Sequence, residues 1–451
     1  MQKQINPPTP LLLSMLPAAV MYGLLLYTLE RTQVWPIIGL FGGLFLLYAW
    51  WMKEGEKIDL RLGFSAALLF RLIAFFALPV LSDDYFRFIW DGQLLAHGEN
   101  PFTLLPSEHM SDPSQAASLG LSQELYDGLN SQNYFTIYPP VLQLIFFLGA
   151  AIFPKSIYGA VLVMKVPILL AEIGSIRLIQ KLLTHFRLPQ KWMWLYALNP
   201  LVIVELTGSL HFEALMIFFL LLAIWWLANG KWLLSAVPFA LAICSKLLPL
   251  MLLPLLFKRI GFWKTAAYSS IVGVLTLLMF LPLYDLETFA HIRESVALYV
   301  SVFEFNASLW YVIREIAYLF VPYNIIRIAG PFISAATIIF ILLFSFFQPK
   351  ASLKNLASGM SWVFLIYFSL ASIVHPWYGT TLVALSSLGR YRYAMFWSAF
   401  LPLSYVAYRQ LPEVHEVLWL VALEYVVVLV VLIREWKNPL GQQIATSDGL
   451  S

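Results

Sequence analysis

Residues 62–92 decide the fold, and they read LGFSAALLFRLIAFFALPVLSDDYFRFIWDG. The first part is a run of about twenty almost entirely apolar residues, the length of a helix that crosses a membrane. Three acids, Asp83, Asp84 and Asp91, follow this run directly, together with Arg87. A cluster of charged groups at the end of a membrane helix is a place where polar chemistry on a lipid-borne substrate can occur.

The remainder of the chain has the same character. Of its 451 residues, 60% are hydrophobic and only 12% are charged. No soluble domain of this size has such a composition, so the sequence predicts an all-α, multi-pass transmembrane helical bundle. We expect about 11–14 spans, with some re-entrant or interfacial helices, in a single integral membrane domain over residues 1–451. The net charge of +3 is small and spread over loops, which argues against a nucleic-acid partner.

Lysines and arginines between the apolar runs predict the orientation, because cytoplasmic loops of membrane proteins are enriched in these residues. We assign six basic turns to the cytoplasm: Lys53/Lys57/Arg61, Lys181/Arg187/Lys191, Lys258/Arg259/Lys264, Lys350/Lys354, Arg390/Arg392 and Arg434/Lys437. The N-terminus then lies inside, and the third apolar run leads outward. The first long linker, about residues 82–136, is therefore expected outside the membrane.

This orientation requires that some apolar runs do not cross the membrane. Two runs separate the outer linker from Lys181, where an odd number of crossings is needed. The first, residues 138–153, is short and begins near two prolines, so we interpret it as a partly inserted or re-entrant helix on the outer side. Another run, residues 308–321, carries Arg314 and Glu315 in its middle and is expected to lie along the interface.

A second mismatch lies between Lys191 and Lys258, where three runs stand and an even number of crossings is needed. The last run, residues 232–257, carries Lys246, Pro249 and Pro254 in its middle, and we interpret it as a broken, re-entrant element. The alternative is that the turn 181–191 lies outside, which breaks the charge rule but needs no re-entrant elements.

Asp83 and Asp84 are the candidate catalytic residues. A carboxylate at the outer end of a membrane helix can act as general base on an incoming hydroxyl group. Equally, Ser82 and Asp83 could cap the helix that follows them. The spacing of apolar residues predicts an amphipathic surface helix over residues 84–96 in both interpretations. Asp91 stands four residues after Arg87, a spacing that predicts a structural ion pair.

Lys246 lies within an apolar run, where an unpaired lysine costs on the order of 2.5–3.5 kcal/mol. Its ammonium group therefore requires an anion, which is either the phosphate of a lipid carrier or a buried carboxylate. Arg71, Lys165 and Glu172 also fall inside apolar runs. Because such charges are usually functional or paired, we expect a structural Lys165–Glu172 or Arg71–Glu172 ion pair.

Two histidines stand between apolar runs. His211 is followed closely by Glu213. His375 precedes the aromatic residues Trp377 and Tyr378. Aromatic and histidine side chains pack against sugar rings and hydrogen-bond their hydroxyl groups, so these residues could line a sugar pocket. Taken singly, each of them is equally explained as a residue of the interfacial belt.

Taken together, these motifs resemble the GT-C superfamily of polytopic glycosyltransferases, which use a polyprenyl-phosphate sugar as donor. The resemblance spans about residues 62–390 and rests on these motifs in order: Asp83-Asp84-Tyr85-Phe86-Arg87-Phe88 with Trp90-Asp91-Gly92 and Gly98-x-Asn100-Pro101-Phe102, Tyr138-Pro139-Pro140, Leu198-Asn199-Pro200, Gly208 to Glu213, Ser245-Lys246-Leu247-Leu248-Pro249 with Pro254, and His375-Pro376-Trp377-Tyr378. Their order and spacing are similar to bacterial mannosyltransferases and to those of glycolipid-anchor assembly. Glu213 departs from this pattern, because the family often has Asp there.

The resemblance implies that Asp84 or Asp83 deprotonates an acceptor hydroxyl, which attacks the anomeric carbon of a polyprenyl-phosphate hexose with inversion. Mannose is the expected hexose. The implied roles are a leaving phosphate held by Lys246, Arg71 and Arg293; a sugar or acceptor pocket formed by His375, Trp377, Tyr378, His211, Glu213 and Tyr138; and a structural framework of Arg87, Asp91, Asn100 and Pro101.

The expected partners are the polyprenyl-phosphate sugar, a glycolipid or glycan acceptor and membrane lipids. Two acids do not by themselves make a metal site, so we expect neither a metal nor a cofactor. The expected location is the bacterial plasma membrane, with the active site facing the periplasm or the outside.

Two other functions fit parts of the sequence. A transporter or flippase of lipid-linked glycans would also have broken helices and intramembrane charges, but it predicts internal repeats that the chain does not show. A polymerase or ligase of surface polysaccharide would have a large outer loop late in the chain, whereas the long loop here is early. The glycosyltransferase interpretation predicts that Asp84, Lys246 and His375 converge on one outward-facing site.

Overall fold

The chain folds as an all-α, multi-pass membrane protein. The computed structural model describes residues 10–348, 351–389 and 391–437, and no β-strand occurs in these ranges. The first three helices are α1 (Pro10–Tyr27), α2 (Val34–Lys53) and α3 (Leu60–Phe75). The expected domain therefore also includes residues outside the described ranges, among them the basic Lys350 and Arg390 and the tail that follows Lys437.

The long outer linker forms a small helical layer rather than an irregular loop. Its helices are α4 (Asp84–Ala96), α5 (Pro106–His109), α6 (Pro113–Ser118) and α7 (Gln123–Asp127). The carboxylate of Asp112 accepts bonds from two backbone N–H groups at the start of α6, and the Ser122 hydroxyl accepts one at the start of α7. These caps let short helices begin where propensity alone would not form them.

The helix predicted over residues 84–96 is confirmed, but its middle is buried instead of lying on the surface. On one side, Trp90 packs against residues of α5 and α7. On the other side, Phe88 stacks on Phe146 with ring centroids 4.7 Å apart. The apolar spacing of α4 predicted that its apolar face lies at the membrane surface. In the structure, the linker helices cover this helix.

The short element after the linker is confirmed. Helices α8 (Pro140–Ile152) and α9 (Ile157–His185) follow the linker. α8 has 13 residues, a length of about 20 Å that falls short of a hydrocarbon core of about 30 Å. α9 has 29 residues and crosses the core alone. An odd number of crossings therefore lies between the linker and the basic turn after α9.

The next part of the chain is built from short, broken elements. These are α10 (Trp194–Ala197), α11 (Pro200–Val202), a π-helical turn (Ile203–Gly208), α12 (Glu213–Ala228), α13 (Trp232–Ser245) and a 3₁₀ helix (Leu248–Leu256). The chain bends by 113° between the π-helical turn and α12. α13 ends at Ser245 and a 3₁₀ helix begins at Leu248, so the predicted break in the element over 232–257 is confirmed, and its re-entrant course stays a prediction.

The remaining helices complete the bundle. They are α14 (Phe257–Ile260), α15 (Phe262–Phe280), α16 (Thr288–Ser301), α17 (Leu309–Tyr318), α18 (Ile326–Phe347), α19 (Leu356–Leu370), α20 (Gly379–Leu388), α21 (Tyr393–Phe400) and α22 (Leu418–Lys437), with a 3₁₀ helix at Leu401–Tyr408. In α17 the buried residues are Trp310 and Tyr311, and Arg314 pairs with Glu304 and Glu315. Its amphipathic pattern agrees with the expected interfacial helix.

Within the described ranges, only a minority of the apolar segments are single helices of spanning length. Five helices are long and apolar enough to cross a membrane, and the bent pair 200–208 with 213–228 makes a sixth. The sequence suggested about 11–14 spans because it showed apolar runs but not where they break. Prolines such as Pro249 and Pro402 turn the backbone into 3₁₀ segments and shorten the regular helices.

Four of the basic turns meet at one end of the bundle. Lys191 Nζ lies 2.6 Å from Glu56 Oε1, which joins the turn after α2 to the turn after α9. The Arg392 guanidinium lies 4.2 Å from the ring centroid of Trp192, and the backbone N–H of Arg392 donates to Glu435 Oε1 at 2.8 Å. These contacts contradict the alternative that the turn 181–191 lies on the other side from the turn 53–61.

Candidate active site

The two adjacent acids at the start of α4 have different surroundings. Asp83 Oδ2 forms an ion pair with Arg31 Nη1 at 2.7 Å. Of the two expected capping residues, Asp83 does not cap α4 with its side chain, whereas the Ser82 hydroxyl accepts a hydrogen bond from the backbone N–H of Asp84 at 3.3 Å. Asp84 is partly exposed, and its Oδ1 accepts one side-chain hydrogen bond, from Asn130 Nδ2 at 3.0 Å. Of the two carboxylates, Asp83 is therefore the one neutralised by a cation.

The Arg87–Asp91 ion pair predicted from spacing is confirmed, with Arg87 Nε 2.8 Å from Asp91 Oδ1. Asp91 Oδ2 also accepts bonds from Thr136 Oγ1 and Gln143 Nε2. Arg87 Nη1 donates to the backbone carbonyl of Tyr134 at 2.8 Å. Both charges are buried, and the pair fixes the end of the linker against α4 and α8.

Asn100 connects the linker to a distant part of the chain. Its Nδ2 donates to the backbone carbonyl of Leu283 at 3.0 Å and lies 3.5 Å from Thr288 Oγ1. Its Oδ1 accepts a bond from the backbone N–H of Phe102, across the turn that contains Pro101. These contacts hold the linker to the start of α16. They are consistent with the structural role that the resemblance implies for Asn100 and Pro101.

Lys246 lies at the break between α13 and the following 3₁₀ helix, at the same end of the bundle as the acids. Its side chain is 28% exposed, so it is not enclosed in hydrocarbon. The ammonium group pairs with the Glu213 carboxylate and lies 4.2 Å from the ring centroid of Tyr378. The sequence left a phosphate and a buried acid as alternative partners, and Glu213 supplies the acid in this structure.

His211 and His375 both stack on Trp377. The ring centroid of Trp377 is 3.8 Å from that of His211 and 4.3 Å from that of His375. Burial, reinforced by the Lys246 ammonium group, lowers the pKa of His375 well below its ordinary value, so its imidazole is neutral. Trp377 thus fixes the planes of two imidazoles beside the Lys246–Glu213 pair.

A continuous series of contacts joins these groups to the acids of α4. The Arg31 guanidinium lies 3.6 Å from the ring centroid of Tyr408. Tyr408 and His375 both pack against Phe305, with centroids 5.5 and 4.8 Å away. Burial raises the pKa of Tyr299 most, followed by the Asp84 carboxylate. The Glu213 carboxylate also raises this pKa, to a smaller extent.

Asp84, Lys246 and His375 therefore lie at one end of the bundle, and their convergence on one outward-facing cavity stays a prediction. Tyr138 lies beside this group. Its ring meets that of Phe88 edge-to-face, with centroids 5.0 Å apart.

One of the three expected phosphate ligands lies elsewhere. Arg71 is fully buried, with Nε 2.8 Å from Glu172 Oε1 and Nη1 2.7 Å from the Ala197 carbonyl. It is the structural partner of Glu172 that the sequence offered as one alternative, and in this position it cannot reach a donor phosphate. Arg293 is exposed on α16. The phosphate role stays a prediction for Lys246 and for Arg293.

The other expected partner of Glu172 is bound differently. Lys165 Nζ donates to three backbone carbonyls, those of Ala74, Ala77 and Gly208, at 2.6–2.9 Å. A lysine ammonium group has three donors, so this arrangement satisfies all of them without a carboxylate. Lys165 thereby ties the end of α3 to the turn that carries His211.

Sequence reasoning missed several residues of the site. They are Arg31, Asn130, Glu205, Tyr405 and Tyr408. Arg31 had one available signal, since it is a lone basic residue in a turn that the charge rule places on the outer side. Glu205 also had one, since it is an acid within an apolar run. Asn130, Tyr405 and Tyr408 come from distant segments, and no local pattern marks them. Within the described ranges, no group of three or more His, Cys, Asp or Glu residues is arranged to hold a metal ion.

A helical membrane bundle with acids, imidazoles and a lysine gathered at one end has the layout of a polytopic glycosyltransferase. Residues 14–260 match the alpha-(1->6)-mannopyranosyltransferase family in its N-terminal domain. Because this match covers more than half of the chain, the protein belongs to this family. It is thus a membrane-embedded glycosyltransferase that transfers mannose from a sugar donor to a glycan or lipid acceptor.

The family assignment decides between the functions that the sequence left open. It favours the glycosyltransferase over the transporter and the polysaccharide polymerase or ligase. The matched segment includes Asp83, Asp84, His211, Glu213 and Lys246, whereas the His375 motif follows it. No curated protein matches the chain at a significant level.

Proposed function

We propose that this protein transfers mannose from a polyprenyl-phosphate mannose to the 6-hydroxyl of a mannose-containing glycolipid or glycan, and that Asp84 is the general base. The contrast between the two acids supports this assignment. The Arg31 cation holds Asp83, whereas Asp84 is partly exposed and accepts a single bond from the neutral Asn130. A carboxylate that is not paired with a cation is the better proton acceptor.

The transfer is a single displacement at the anomeric carbon. The acceptor oxygen forms a bond to this carbon while the bond from the carbon to the phosphate oxygen breaks. Asp84 takes the hydroxyl proton, and the bonding electrons leave with the polyprenyl phosphate. Because one displacement inverts the configuration, an α-linked product requires a β-linked donor. No metal and no cofactor are part of this proposal.

Lys246 is the proposed ligand of the departing phosphate. Its ammonium group has three donors and is partly exposed, so it can keep its bond to Glu213 and still donate to a phosphate oxygen. Positive charge at this point stabilises the negative charge that develops on the leaving group. His211, His375 and Tyr378 lie around Lys246 and are proposed to contact the sugar.

The proposed location is the bacterial plasma membrane, with the site on the outer face. The basic turns gather at the opposite end from Arg31 and Asp83, because α2, 20 residues long, separates the Arg31 turn from the Glu56 turn. Its length of about 30 Å equals the thickness of the hydrocarbon core. Positive residues mark the cytoplasmic side, which leaves the acids on the outer side.

The assignment of the base is tested by Asp84→Asn and Asp83→Asn in purified protein, with mannose transfer from a polyprenyl-phosphate donor as the assay. We expect Asp84→Asn to lower kcat by about 10²–10⁴-fold, the usual contribution of a general base. Asp83→Asn should have a much smaller effect on kcat, because it removes only the partner of Arg31.

Asn130→Ala is the matched control, since it removes the hydrogen bond to Asp84 but leaves the carboxylate. Equal activity of Asp84→Asn and wild-type protein would refute the base assignment. A wild-type protein that transfers no mannose from this donor would refute the donor.

A further inference from the structure

A buried chain of polar side chains lies behind His211. Glu205 belongs to the π-helical turn and is fully buried, although it is ionisable. Tyr405 donates its hydroxyl to Glu205 Oε1 at 2.5 Å. Glu205 Oε2 lies 3.3 Å from His211 Nδ1, and the backbone carbonyl of Glu205 lies 2.9 Å from the same nitrogen. π-helical turns often occur at functional sites, and here the turn aims a carboxylate at an imidazole.

The contacts of Nδ1 determine which nitrogen of His211 carries the proton. The hydrogen-bond partner of Nδ1 is the backbone carbonyl of Glu205, which can only accept, and Oε2 of the Glu205 carboxylate lies beside it without forming a hydrogen bond of its own. Nδ1 must therefore be the protonated, donating nitrogen. In the neutral imidazole, Nε2 then presents a lone pair and acts as a hydrogen-bond acceptor.

The series of polar side chains ends at His211 Nε2, a hydrogen-bond acceptor that is available to a ligand. His211 is only 3% exposed, and in the described part of the protein its Nε2 has no hydrogen-bond partner. Leaving such a group unpaired in the interior is costly, so a buried acceptor without a partner beside a substrate site points to a ligand. The stacking on Trp377 fixes the ring plane and hence the direction of the lone pair.

We propose that Glu205 is a positioning residue, and that His211 Nε2, oriented by it, accepts a hydrogen bond from a hydroxyl group of the donor mannose. This inference rests on the proposed function, because it concerns the sugar that the site transfers. Lys246 would hold the phosphate of the same donor, and its partner Glu213 lies two residues after His211. The short segment from His211 to Glu213 then contributes to binding both the sugar and its leaving group.

Tyr405 completes the arrangement from a distant part of the chain. It belongs to the 3₁₀ helix Leu401–Tyr408, and its bond occupies the carboxylate oxygen of Glu205 that does not face His211. With that oxygen bound to Tyr405, the charge of the other oxygen stays beside the Nδ1–H group. A glutamine at position 205 keeps the backbone carbonyl that accepts from Nδ1 but removes this charge, so the ring is held less firmly and the Nε2 lone pair is directed less well.

The test is a double-mutant cycle with Glu205→Gln, His211→Ala and the double variant. Each variant is assayed with polyprenyl-phosphate mannose and with donors in which one sugar hydroxyl at a time is replaced by hydrogen. We expect each single variant to lose about three- to tenfold in kcat/KM, the range of one neutral hydrogen bond. The double variant should lose no more than His211→Ala, because Glu205 acts through His211.

The deoxy donors separate positioning from a purely structural role. One of them should react about three- to tenfold more slowly than polyprenyl-phosphate mannose with the wild-type protein, almost equally fast with His211→Ala, and with a reduced difference with Glu205→Gln. His211→Gln, which keeps an acceptor near the Nε2 position, should recover part of this preference. Ser209→Ala is the control, since it removes a buried hydroxyl from the same turn and should leave the preference unchanged.

Two results would overturn the inference. The first is a double variant whose loss equals the product of the single losses. The second is a deoxy-donor preference that survives in His211→Ala. If the wild-type protein does not use polyprenyl-phosphate mannose at all, the proposed function fails first and the inference falls with it.

Discussion

Arg71 and Glu172 form an ion pair that is completely removed from water. Taking two charges into a low-dielectric interior is costly, and the pair is tolerated because both partners are well bonded. Arg71 also donates to the carbonyls of Ala67 and Ala197, and Glu172 accepts the hydroxyl of Thr207. The pair therefore joins α3, α9 and the π-helical turn behind the proposed site.

We predict that Arg71→Met lowers the free energy of unfolding by about 3–5 kcal/mol, because it leaves the Glu172 carboxylate buried without a cation. The double variant Arg71→Met/Glu172→Gln should be less destabilised than Arg71→Met alone, since it also removes the unpaired charge. Thermal unfolding in detergent measures both. Arg293→Met, which changes an exposed arginine, should shift stability by no more than about 0.5 kcal/mol. A double variant that is less stable than Arg71→Met would contradict this account.

At the residue scale, the sequence identified the charged residues better than their partners. The Arg87–Asp91 pair followed from a four-residue spacing on one helix. The partners of Asp83 and Lys246 are 52 and 33 positions away, so only the fold brings them together. Glu205 carried the general signal of an acid within an apolar run, but this signal does not reveal which side chain the acid faces.

At the scale of elements, the crossing of α4 and α8 positions the proposed base. At Gly92 the two helices are so close that an added Cβ would lie 2.3 Å from the backbone carbonyl oxygen of Phe146. A backbone atom cannot move aside as a flexible side chain can. The position of Asp84, at the start of the same helix, therefore depends on this close contact.

We predict that Gly92→Ala separates α4 from α8, lowers the melting temperature and reduces mannose transfer, because it displaces Asp84. Gly39→Ala is the matched control, since α2 is a helix of spanning length and an added Cβ at Gly39 meets no atom within 4 Å. Alanine is favoured over glycine in a helix by about 1 kcal/mol, so Gly39→Ala should be neutral or slightly stabilising. Equal melting temperatures and activities for the two variants would show that the contact at Gly92 is unimportant.

The elements were predictable to different degrees for physical reasons. Long helices such as α9 and α18 can be predicted from composition alone, because their residues are apolar over the length of a membrane span. The broken element at Lys246 was predictable because a charge and two prolines cannot continue a lipid-exposed helix. The burial of α4 was not predictable, because an apolar face has the same spacing whether it meets lipid or other helices of the protein.

At the scale of the whole molecule, the proposed site draws on segments from nearly the entire chain. Arg31 comes from the first turn and Tyr408 from near the end, and the two are in direct contact. From the middle of the chain, Lys165 donates hydrogen bonds to the end of α3 and to the Gly208 carbonyl. The matched family segment ends at residue 260, so the histidine motif at 375–378 completes a site that begins in the matched half.

The orientation of the bundle gives the last prediction. The contact between Lys191 and Glu56 places two basic turns at one end, and the linker lies at the other. Single cysteines are introduced at Lys57, Thr184 and Ser111, in a background where the buried Cys244 is replaced by alanine. A membrane-impermeant maleimide is then added to intact cells and, separately, to permeabilised cells.

We expect Ser111→Cys to react in intact cells, and Lys57→Cys and Thr184→Cys to react only after permeabilisation. The two turns must behave alike, because an ion pair between neighbouring turns cannot extend through about 30 Å of hydrocarbon. Labelling of Lys57→Cys and Thr184→Cys from opposite sides would contradict the fold itself. Labelling of both in intact cells, with Ser111→Cys protected, would keep the fold but reverse the orientation and place Asp84 on the cytoplasmic face.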